Sequence, residues 1–426
     1  MLALASLGLY TLLRLCLIPV ASASSVVGPW YGGGHSKIAP KVFILDAVSH
    51  GPLRVSRLLL FRCSPLYFQF DAEGDSWYGI PEFDVLARNI TVPGFSPLFP
   101  DAHCTRVGSI CQLTTGEAEI NAASTITALV LSPLFDLRQT YFLVAGIAGI
   151  SPKEGTLGTV TFARFAVQVA LQYEFDAREI PADWPTGYVP QGSLVPGTYP
   201  QSLYGTEVFE LNEDLRQAAI KLAKTGTLAD DAQSQAYRAH YANATSFAAG
   251  AAGPSVVACD TATSDVFWSG NLLADAFENA THIWTNGSAT YCTTQQEDNG
   301  ILEALLRGAR ARLVDFARVL IMRTASDFDR PYPGQSAEAN LFAFSPGFAI
   351  SIANLPAAGV PVVKGIVAQW HSRFKAGIRP SNYVGDVWGS LGGAPDYGPG
   401  SIFANKGGVV ARRSLRRDSA ARRGTN

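Results

Sequence analysis

Runs of apolar residues and helical apolar repeats alternate along this chain. Helices are indicated where apolar residues recur every three or four positions, as they do in 301–306, because that spacing places them on one face. Another helix is predicted after Asn212, whose side chain can cap the first turn, with Gly226 as its stop. Consecutive apolar residues indicate buried strands, and such runs lie at 41–45, 141–144, 159–162, 167–171, 256–259 and 319–322. The alternation predicts an α/β sandwich, mostly in one domain.

A glycine-containing segment follows the predicted strand at 141–144. Its sequence, 145–149, is Ala-Gly-Ile-Ala-Gly, and we predict a loop there. Gly146 and Gly149 would let the backbone approach a ligand closely, although a plain tight turn uses the same residues.

Three acidic residues lie at or near the ends of predicted strands. Asp265, Glu297 and Asp327 each follow an apolar run, and ligands of open α/β sheets bind beyond the carboxyl ends of the strands. The alternative is that these carboxylates are helix caps or solvated loop residues, which is the usual environment of Asp and Glu.

Composition excludes several classes of protein. The chain has 426 residues, 47% of them hydrophobic, and a net charge of −2, so it can form a large core and has no basic field to bind nucleic acid. It lacks a phosphate-loop motif, an H-E-x-x-H motif and a G-x-S-x-G motif. We predict neither a metal site nor a cofactor.

The amino-terminal segment predicts export. An apolar run at 7–20 is followed by Ala-Ser-Ala at 21–23, which is typical of a signal peptide spanning 1–23, although the basic n-region is missing. The alternative is a membrane anchor at 7–20. Sequons begin at Asn89, Asn243, Asn279 and Asn286. Together these features predict a secreted or cell-surface glycoprotein.

The remaining segments differ in amino-acid composition. Residues 24–36 form a Gly- and Ser-rich leader, 37–402 the main domain, and 403–426 a basic tail that we expect to be disordered. Residues 47–69 carry several arginines among scattered leucines without a clean period. We interpret them as an insertion. One explanation for it is untranslated sequence that the gene model has retained.

The cysteines suggest two disulfides in an exported chain. Cys104 and Cys111 bracket a short loop, and Cys259 and Cys292 both belong to the stretch that carries the acidic residues. We predict that each pair is bonded, which leaves Cys63 unpaired. The alternative is a set of buried thiols, and the spacing does not match a zinc site.

Several long motifs resemble one family. They are Pro-Gly-Phe-Ser-Pro-Leu-Phe-Pro at 93–100, Thr-Gly-Glu-Ala-Glu-Ile-Asn-Ala-Ala at 115–123, Ala-Gly-Ile-Ala-Gly-Ile at 145–150, Tyr-Gly-Thr-Glu-Val-Phe-Glu-Leu-Asn at 204–212 and Arg-Thr-Ala-Ser-Asp-Phe-Asp-Arg at 323–330. From about residue 40 to 400 the chain resembles the fungal purine nucleoside permease family. The sequence order is also similar to the nucleoside phosphorylase and methylthioadenosine nucleosidase superfamily. This similarity implies a nucleoside-phosphorylase-like, three-layer α/β/α sandwich with a mixed central sheet.

The resemblance also implies roles for particular residues. In those nucleosidases a strand-end Ser-Asp pair protonates the purine, and Ser326 and Asp327 match it. Gln296 and Glu297 match the pair that grips the ribose hydroxyls. The Asp-x-Phe element that stacks the base corresponds to Asp265 and Phe267, and Glu73 is the candidate for activating water. Gly146 and Gly149 match the loop that lines the sugar side.

These roles suggest cleavage of the N-glycosidic bond of a purine nucleoside. Water is favoured over phosphate as the nucleophile, because Glu117 and Glu119 occupy the turn where a phosphate pocket would lie. Two alternatives remain open: a phosphorylase, and a non-catalytic protein that binds nucleosides and delivers them to a membrane transporter. A homodimer is expected by analogy only.

Overall fold

A computed structural model of the protein describes residues 36–47 and 73–397. The predicted signal peptide at 1–23 and the tail at 403–426 lie outside the described residues, as does Cys63. Almost all of the leader at 24–36 and of the insertion at 47–69 lies outside them as well.

Strands form where apolar and β-branched residues follow one another. They are β1 (Val42–Asp46), β2 (Arg88–Thr91), β3 (Asp101–Cys104), β4 (Ile110–Thr114), β5 (Tyr141–Ile150), β6 (Val160–Ala163), β7 (Phe165–Gln168), β8 (Gln172–Glu174), β9 (Tyr188–Pro190), β10 (Val208–Glu210), β11 (Val256–Ala258), β12 (Thr261–Thr263), β13 (Thr293–Gln295), β14 (Val319–Phe328) and β15 (Gly385–Asp386).

Helices form where the apolar residues recur at a helical spacing. They are α1 (Ala118–Leu131), α2 (Glu213–Ala223), α3 (Ala232–Arg238), α4 (Asn271–Trp284), α5 (Asp298–Arg310), α6 (Ala337–Phe342) and α7 (Gly347–Ala368). The predicted cap of α2 is confirmed, since the Asn212 side chain accepts a hydrogen bond from the Leu215 N–H.

A mixed sheet runs through the centre of the fold. Its order is β15-β10-β7-β12-β13-β5-β1-β4-β3-β2, with β14 pairing to β5 and β6, and β6 pairing to β11. Parallel pairs such as β1–β5 and β5–β14 lie beside antiparallel pairs such as β6–β14. Strands β8 and β9 form a separate hairpin.

Helices cover both faces of this sheet. Side chains alternate along a strand, so Phe43 and Leu45 of β1 pack in one cluster with residues of α1 and α5. Val42 and Ile44 pack in the opposite cluster with α2 and α7. The prediction of a three-layer α/β/α sandwich with a mixed central sheet is therefore confirmed.

The loop predicted at 145–149 was wrong, because β5 continues to Ile150. Strand β14 pairs with β5 along nearly its whole length, from Phe142 to Ile150, and β13 pairs with its last two residues. These neighbours satisfy the backbone hydrogen bonds of the glycine segment, so the ladder holds it extended. The predicted strand at 319–322 is likewise longer, reaching Phe328.

Helix α7 is, within residues 36–47 and 73–397, the one helix long and apolar enough to cross a membrane. Its buried residues include Leu355, Val362 and Val363, which belong to the cluster that packs against the sheet. This packing accounts for its apolar composition.

Both predicted disulfides are confirmed. Cys104 and Cys111 join β3 to β4, with their Cα atoms 4.1 Å apart. Cys259 and Cys292, with Cα atoms 5.8 Å apart, lie just before β12 and β13.

Candidate active site

A cavity of about 210 Å³ lies at the carboxyl-terminal parts of β5, β12, β13 and β14. Seven of the residues singled out from the sequence line it together: Glu73, Gly149, Phe267, Gln296, Glu297, Ser326 and Asp327. The segment from α6 to the start of α7 closes one side with Asn340, Leu341, Ala343, Ser345 and Phe348. The topology thus brings together side chains that are far apart along the chain.

A bulge in β14 places Asp327 in this cavity. Ala325 pairs with Ala148 and Asp327 pairs with Gly149, so Ser326 is one extra residue in the ladder. A bulge of this kind changes the direction in which the following side chain points, and bulges are frequent beside active sites. Asp327 therefore faces the cavity although the strand continues to Phe328.

The Asp327 carboxyl is set up to hold a proton. Burial raises its pKa above the usual value, and the hydrogen bond with Ser326 opposes that rise. The Ser326 hydroxyl lies 2.6 Å from Asp327 Oδ1 and 3.1 Å from the Ala148 carbonyl oxygen. The hydroxyl donates its one hydrogen to Asp327 Oδ1, which leaves Oδ2 as the oxygen that can carry the carboxyl proton.

Glu297 stands at the amino end of α5, yet its side chain does not cap that helix. The Gln295 side chain takes that place, accepting hydrogen bonds from the Glu297 and Asp298 N–H groups at 2.8 and 2.9 Å. Glu297 Oε1 instead accepts from the Ala118 N–H at 3.3 Å, and Oε2 accepts from Arg323 Nη2 at 3.2 Å. The helix-cap interpretation therefore does not describe Glu297.

Several neighbours of Glu297 shift its pKa in opposite directions. Burial raises its pKa to about 7, and the nearby Glu73 and Asp298 carboxylates add to the rise. The Arg323 guanidinium and the Ala118 N–H oppose it. Ala118 has a φ of 75°, which is uncommon for a residue with a side chain. The strained residue is thus the one whose N–H points at this carboxylate.

Glu73 is held by backbone N–H groups of β5 and of the residue that follows β1. Its Oε1 accepts from Ile147 at 2.6 Å, and its Oε2 accepts from Ala47 at 3.1 Å. These bonds fix the carboxylate against the wall of the cavity formed by β5.

Gly146 and Gly149 permit two close approaches to β5. A Cβ atom on Gly146 would lie 2.7 Å from Arg323 Nη1 and 2.8 Å from Glu73 Oε1. A Cβ on Gly149 would collide with Thr294 Oγ1 and lie 3.2 Å from Asp327 Oδ2. Only glycine leaves room for these side chains against the strand.

Residues of the segment 265–268 contact two parts of the fold, the cavity and α1. Phe267 is exposed at the mouth of the cavity, and the buried Trp268 forms part of its wall. Asp265 does not line the cavity, because its Oδ1 accepts from the Glu119 N–H at 2.8 Å. Its backbone oxygen accepts from Gln296 Nε2 at 2.8 Å.

Several polar residues of the cavity lining were missed from the sequence, among them Arg323 and Gln295. Arg323 is almost fully buried and donates to Glu297, Asp298 and the Ile147 carbonyl, and Gln295 positions the start of α5. An arginine inside an apolar strand was the available signal, since buried charges are normally paired.

The amino end of α1 offers its first N–H groups to carboxylates. The Ala118 N–H donates to Glu297 and the Glu119 N–H donates to Asp265. Such groups are the usual ligands of a phosphate at a helix amino terminus, and here side chains of the same chain occupy them. Among the residues that the structure describes, no group of three or more His, Cys, Asp or Glu side chains could hold a metal ion.

Comparisons with known proteins identify relatives of this chain. A family model described as purine nucleoside permease matches residues 39–379. A purine nucleoside permease of Candida albicans is 49% identical over 339 residues, covering 78% of this chain and 82% of that protein. A probable purine nucleoside permease of Schizosaccharomyces pombe is 43% identical over 311 residues, covering 71% of this chain and 88% of that protein.

Among solved structures, a 5'-methylthioadenosine/S-adenosylhomocysteine nucleosidase of Neisseria meningitidis, in complex with methylthio-immucillin-A, overlaps with this chain. The overlap has a TM-score of 0.43 and 14% identity, covering 77% of this chain and 99% of that one. A similarity at this level carries no argument about ligand or activity.

Proposed function

The chain belongs to the purine nucleoside permease family, and we propose that its cavity binds a purine nucleoside and hydrolyses the N-glycosidic bond. The observation that carries this proposal is the placement of two carboxyl groups, Asp327 and Glu73, at separate points of one cavity. Glu297 lies in the same cavity.

Strand β5 sets the separation of the two groups. Glu73 lies against Gly146 and Asp327 lies against Gly149, three residues apart on one extended strand. At roughly 3.3 Å per residue, the two contact points are about 10 Å apart along β5. That distance leaves room for a bond between sugar and base, with one carboxyl group on the side of the base and the other on the side of the sugar.

Asp327 is proposed as the general acid. When the bond between sugar and purine breaks, its electron pair moves onto the base, and a proton delivered to the base neutralises the developing charge. Burial keeps Asp327 protonated to a higher pH than an exposed aspartate. Ser326 Oγ orients the carboxyl for this transfer.

Glu297 and Glu73 are proposed to act on the sugar and on water. The Glu297 carboxylate would accept hydrogen bonds from the ribose hydroxyls, with Arg323 fixing its orientation. Glu73 would accept a proton from a water molecule whose oxygen bonds to the anomeric carbon as the base departs. The products are free base and ribose, and the two proton transfers balance.

Water is favoured over phosphate by the state of the α1 amino terminus. A phosphorylase needs cationic or N–H donors for its anion, but the first N–H groups of α1 already bind Glu297 and Asp265. Arg323, the one cation lining the cavity among the described residues, is paired with Glu297 and Asp298. Glu117 adds a further negative charge to the lining.

Base release measured with and without phosphate tests this proposal. The protein is incubated with adenosine, guanosine and inosine, and free base is followed by chromatography. We expect release that does not depend on phosphate. Release only with phosphate would replace hydrolysis by phosphorolysis, and no release would remove catalysis from the proposal.

The Asp327→Asn variant tests the role of Asp327 as the general acid. We expect its turnover of inosine to fall by about 10²-fold or more, because the amide cannot donate a carboxyl proton. In 7-methylguanosine the base already carries a positive charge and departs without a proton. The variant should therefore cleave this nucleoside at close to the wild-type rate. Equal losses on both nucleosides would contradict the role of Asp327 as acid.

A second candidate is a protein that binds nucleosides without cleaving them and delivers them to a membrane transporter. The permease names of its relatives favour it. It would show saturable binding without base release, and Asp327→Asn would bind as the wild type does.

In either case we propose that the chain acts outside the cell or at its surface. The asparagines of its four sequons, Asn89, Asn243, Asn279 and Asn286, are exposed and available for glycans. Mass loss on glycosidase treatment of the secreted protein checks this, and cross-linking checks for a transporter partner or a homodimer.

A further inference from the structure

A chain of hydrogen bonds leads from the cavity wall into the protein interior. Trp268 lines the cavity, and its indole Nε1–H donates to the Tyr291 hydroxyl at 3.2 Å. That hydroxyl donates to Asp329 Oδ2 at 2.7 Å. All three side chains are buried, so water does not compete for these bonds.

Asp329 is itself fixed from several sides. Arg330 Nε lies 3.4 Å from Asp329 Oδ1, and the Arg330 guanidinium donates to Asp275 at 2.7 Å and to Glu278 at 3.3 Å, both on α4. The Gly270 N–H donates to the Asp329 carbonyl at 3.0 Å. The carboxylate that receives the Tyr291 hydroxyl is therefore a rigid anchor.

The anchor joins two parts of the site. Asp329 follows Asp327 by two residues at the end of β14, and Gly270 follows Trp268 by two residues. The Trp268 ring also packs edge-on against Phe277 of α4, with ring centroids 4.7 Å apart. The Tyr291 hydroxyl is the link that ties the Trp268 wall to the strand carrying Asp327.

We infer that Tyr291 is a positioning residue, which acts through Trp268 to hold the base of the nucleoside in the cavity. This role rests on the proposed function. Without the hydroxyl, the Trp268 N–H loses its acceptor in a buried site, and the indole is free to adopt other orientations. The Trp268 wall of the cavity would then no longer be held in one position, and a base beside it would bind more weakly.

The Tyr291→Phe variant tests the role, with Tyr141→Phe as the matched control. Tyr141 is also buried, and its hydroxyl donates to the Phe374 carbonyl at 2.8 Å, but it lies at the amino end of β5. We expect Tyr291→Phe to raise the Kd and KM for inosine by about tenfold, the size expected for one buried hydrogen bond, with kcat changed less than threefold. Tyr141→Phe should leave both constants at the wild-type values.

The same shift should appear with 7-methylguanosine, because holding the base does not depend on protonating it. This result would separate Tyr291 from Asp327, whose loss matters only for the uncharged base. Thermal unfolding of both tyrosine variants provides the comparison of stability.

A double-mutant cycle tests the path through the indole. In a Trp268→Phe background the N–H donor is absent, so adding Tyr291→Phe should change the Kd by less than twofold. A full tenfold loss in that background would overturn the role assigned to Trp268. Equal Kd values for wild type, Tyr291→Phe and Tyr141→Phe would overturn the inference alone, whereas a wild-type protein that binds no nucleoside would overturn the proposed function and the inference together.

Discussion

Glu297 lies at the start of a helix and also contributes its carboxylate to the cavity. It starts α5, but Gln295 has taken over the capping, so the Glu297 carboxylate points into the cavity. Burial raises its pKa to about 7 while Arg323 holds the charged form in place. If Glu297 accepts the ribose hydroxyls as proposed, a pKa near neutrality makes the affinity of the site depend on pH, because protonation removes that acceptor.

Nucleoside affinity should therefore fall as the pH drops below about 7, the pKa of Glu297. Below that pH the free protein carries a proton on Glu297, which must be released for the carboxylate to accept both hydroxyls. From pH 7.5 to 5.5 we expect the Kd for inosine to rise by about tenfold or more. Isothermal titration calorimetry across this range measures it.

Two variants test whether Glu297 causes this pH dependence of the Kd. Glu297→Gln should bind weakly with little dependence on pH. Glu119 also has a pKa raised to about 7 by burial, but its carboxylate bonds to Gln168 and it does not line the cavity. Glu119→Gln should therefore keep the wild-type pH dependence. A steep dependence that survives in Glu297→Gln would contradict this assignment.

Strand ends indicated Glu297 and Asp327, the glycine segment indicated Gly149, and the family resemblance added the other four candidate residues of the cavity lining. Seven of the candidate residues meet in one cavity, whereas Asp265 turns to α1 because the Glu119 N–H lies within reach. The sequence could not reveal this choice, because it depends on how α1 packs beside β12. Arg323 was missed for the same reason, since its partners Glu297 and Asp298 are distant in sequence.

At the scale of elements, the local patterns predicted where helices and strands lie, but not how far the strands extend. Helices α2 and α5 are indicated by the apolar spacing within their own residues, and α2 also by its Asn212 cap. The extension of β5 through its glycines depends instead on hydrogen bonds from β13 and β14. The bulge at Ser326 likewise arises from the pairing of two strands, so no local pattern could predict it.

The close packing on β5 predicts that Gly149→Ala impairs the site. The added methyl group would collide with Thr294 and crowd Asp327, and displacing Asp327 by even 1 Å costs activity by up to about 10²-fold. We expect inosine cleavage to fall by at least about tenfold, measured as kcat/KM.

Gly253→Ala is the matched control for this substitution. Gly253 is exposed, and a Cβ atom there would meet nothing within 4 Å. It should keep kcat/KM within about twofold of the wild-type value. Similar activity in the two variants would show that the contact with Asp327 does not matter.

At the scale of the whole molecule, the two disulfides constrain very different loops. Cys259 and Cys292 are separated by 33 residues, and Cys104 and Cys111 by 7. The entropy lost by the unfolded chain grows with loop length, which gives about 4 kcal/mol for the longer loop and about 2 kcal/mol for the shorter one.

Removing the Cys259–Cys292 bond should therefore lower the free energy of unfolding more than removing Cys104–Cys111. The two double variants, with both cysteines of a pair changed to alanine, are compared by urea denaturation. Equal losses would mean that native contacts around the bonds, rather than loop length, set their contribution.

The spacing of Gly146 and Gly149 on β5 has a consequence for the choice of ligand. Because backbone geometry fixes the two contact points, we expect the strand to limit the combined length of sugar and base that fits between Glu73 and Asp327. A two-ring base, with its ribose held beside Glu73, would then reach Asp327, whereas a one-ring base at the same ribose position would stop short of it. The spacing belongs to the main chain of β5. We therefore expect discrimination by base size to persist when other side chains of the cavity lining are exchanged.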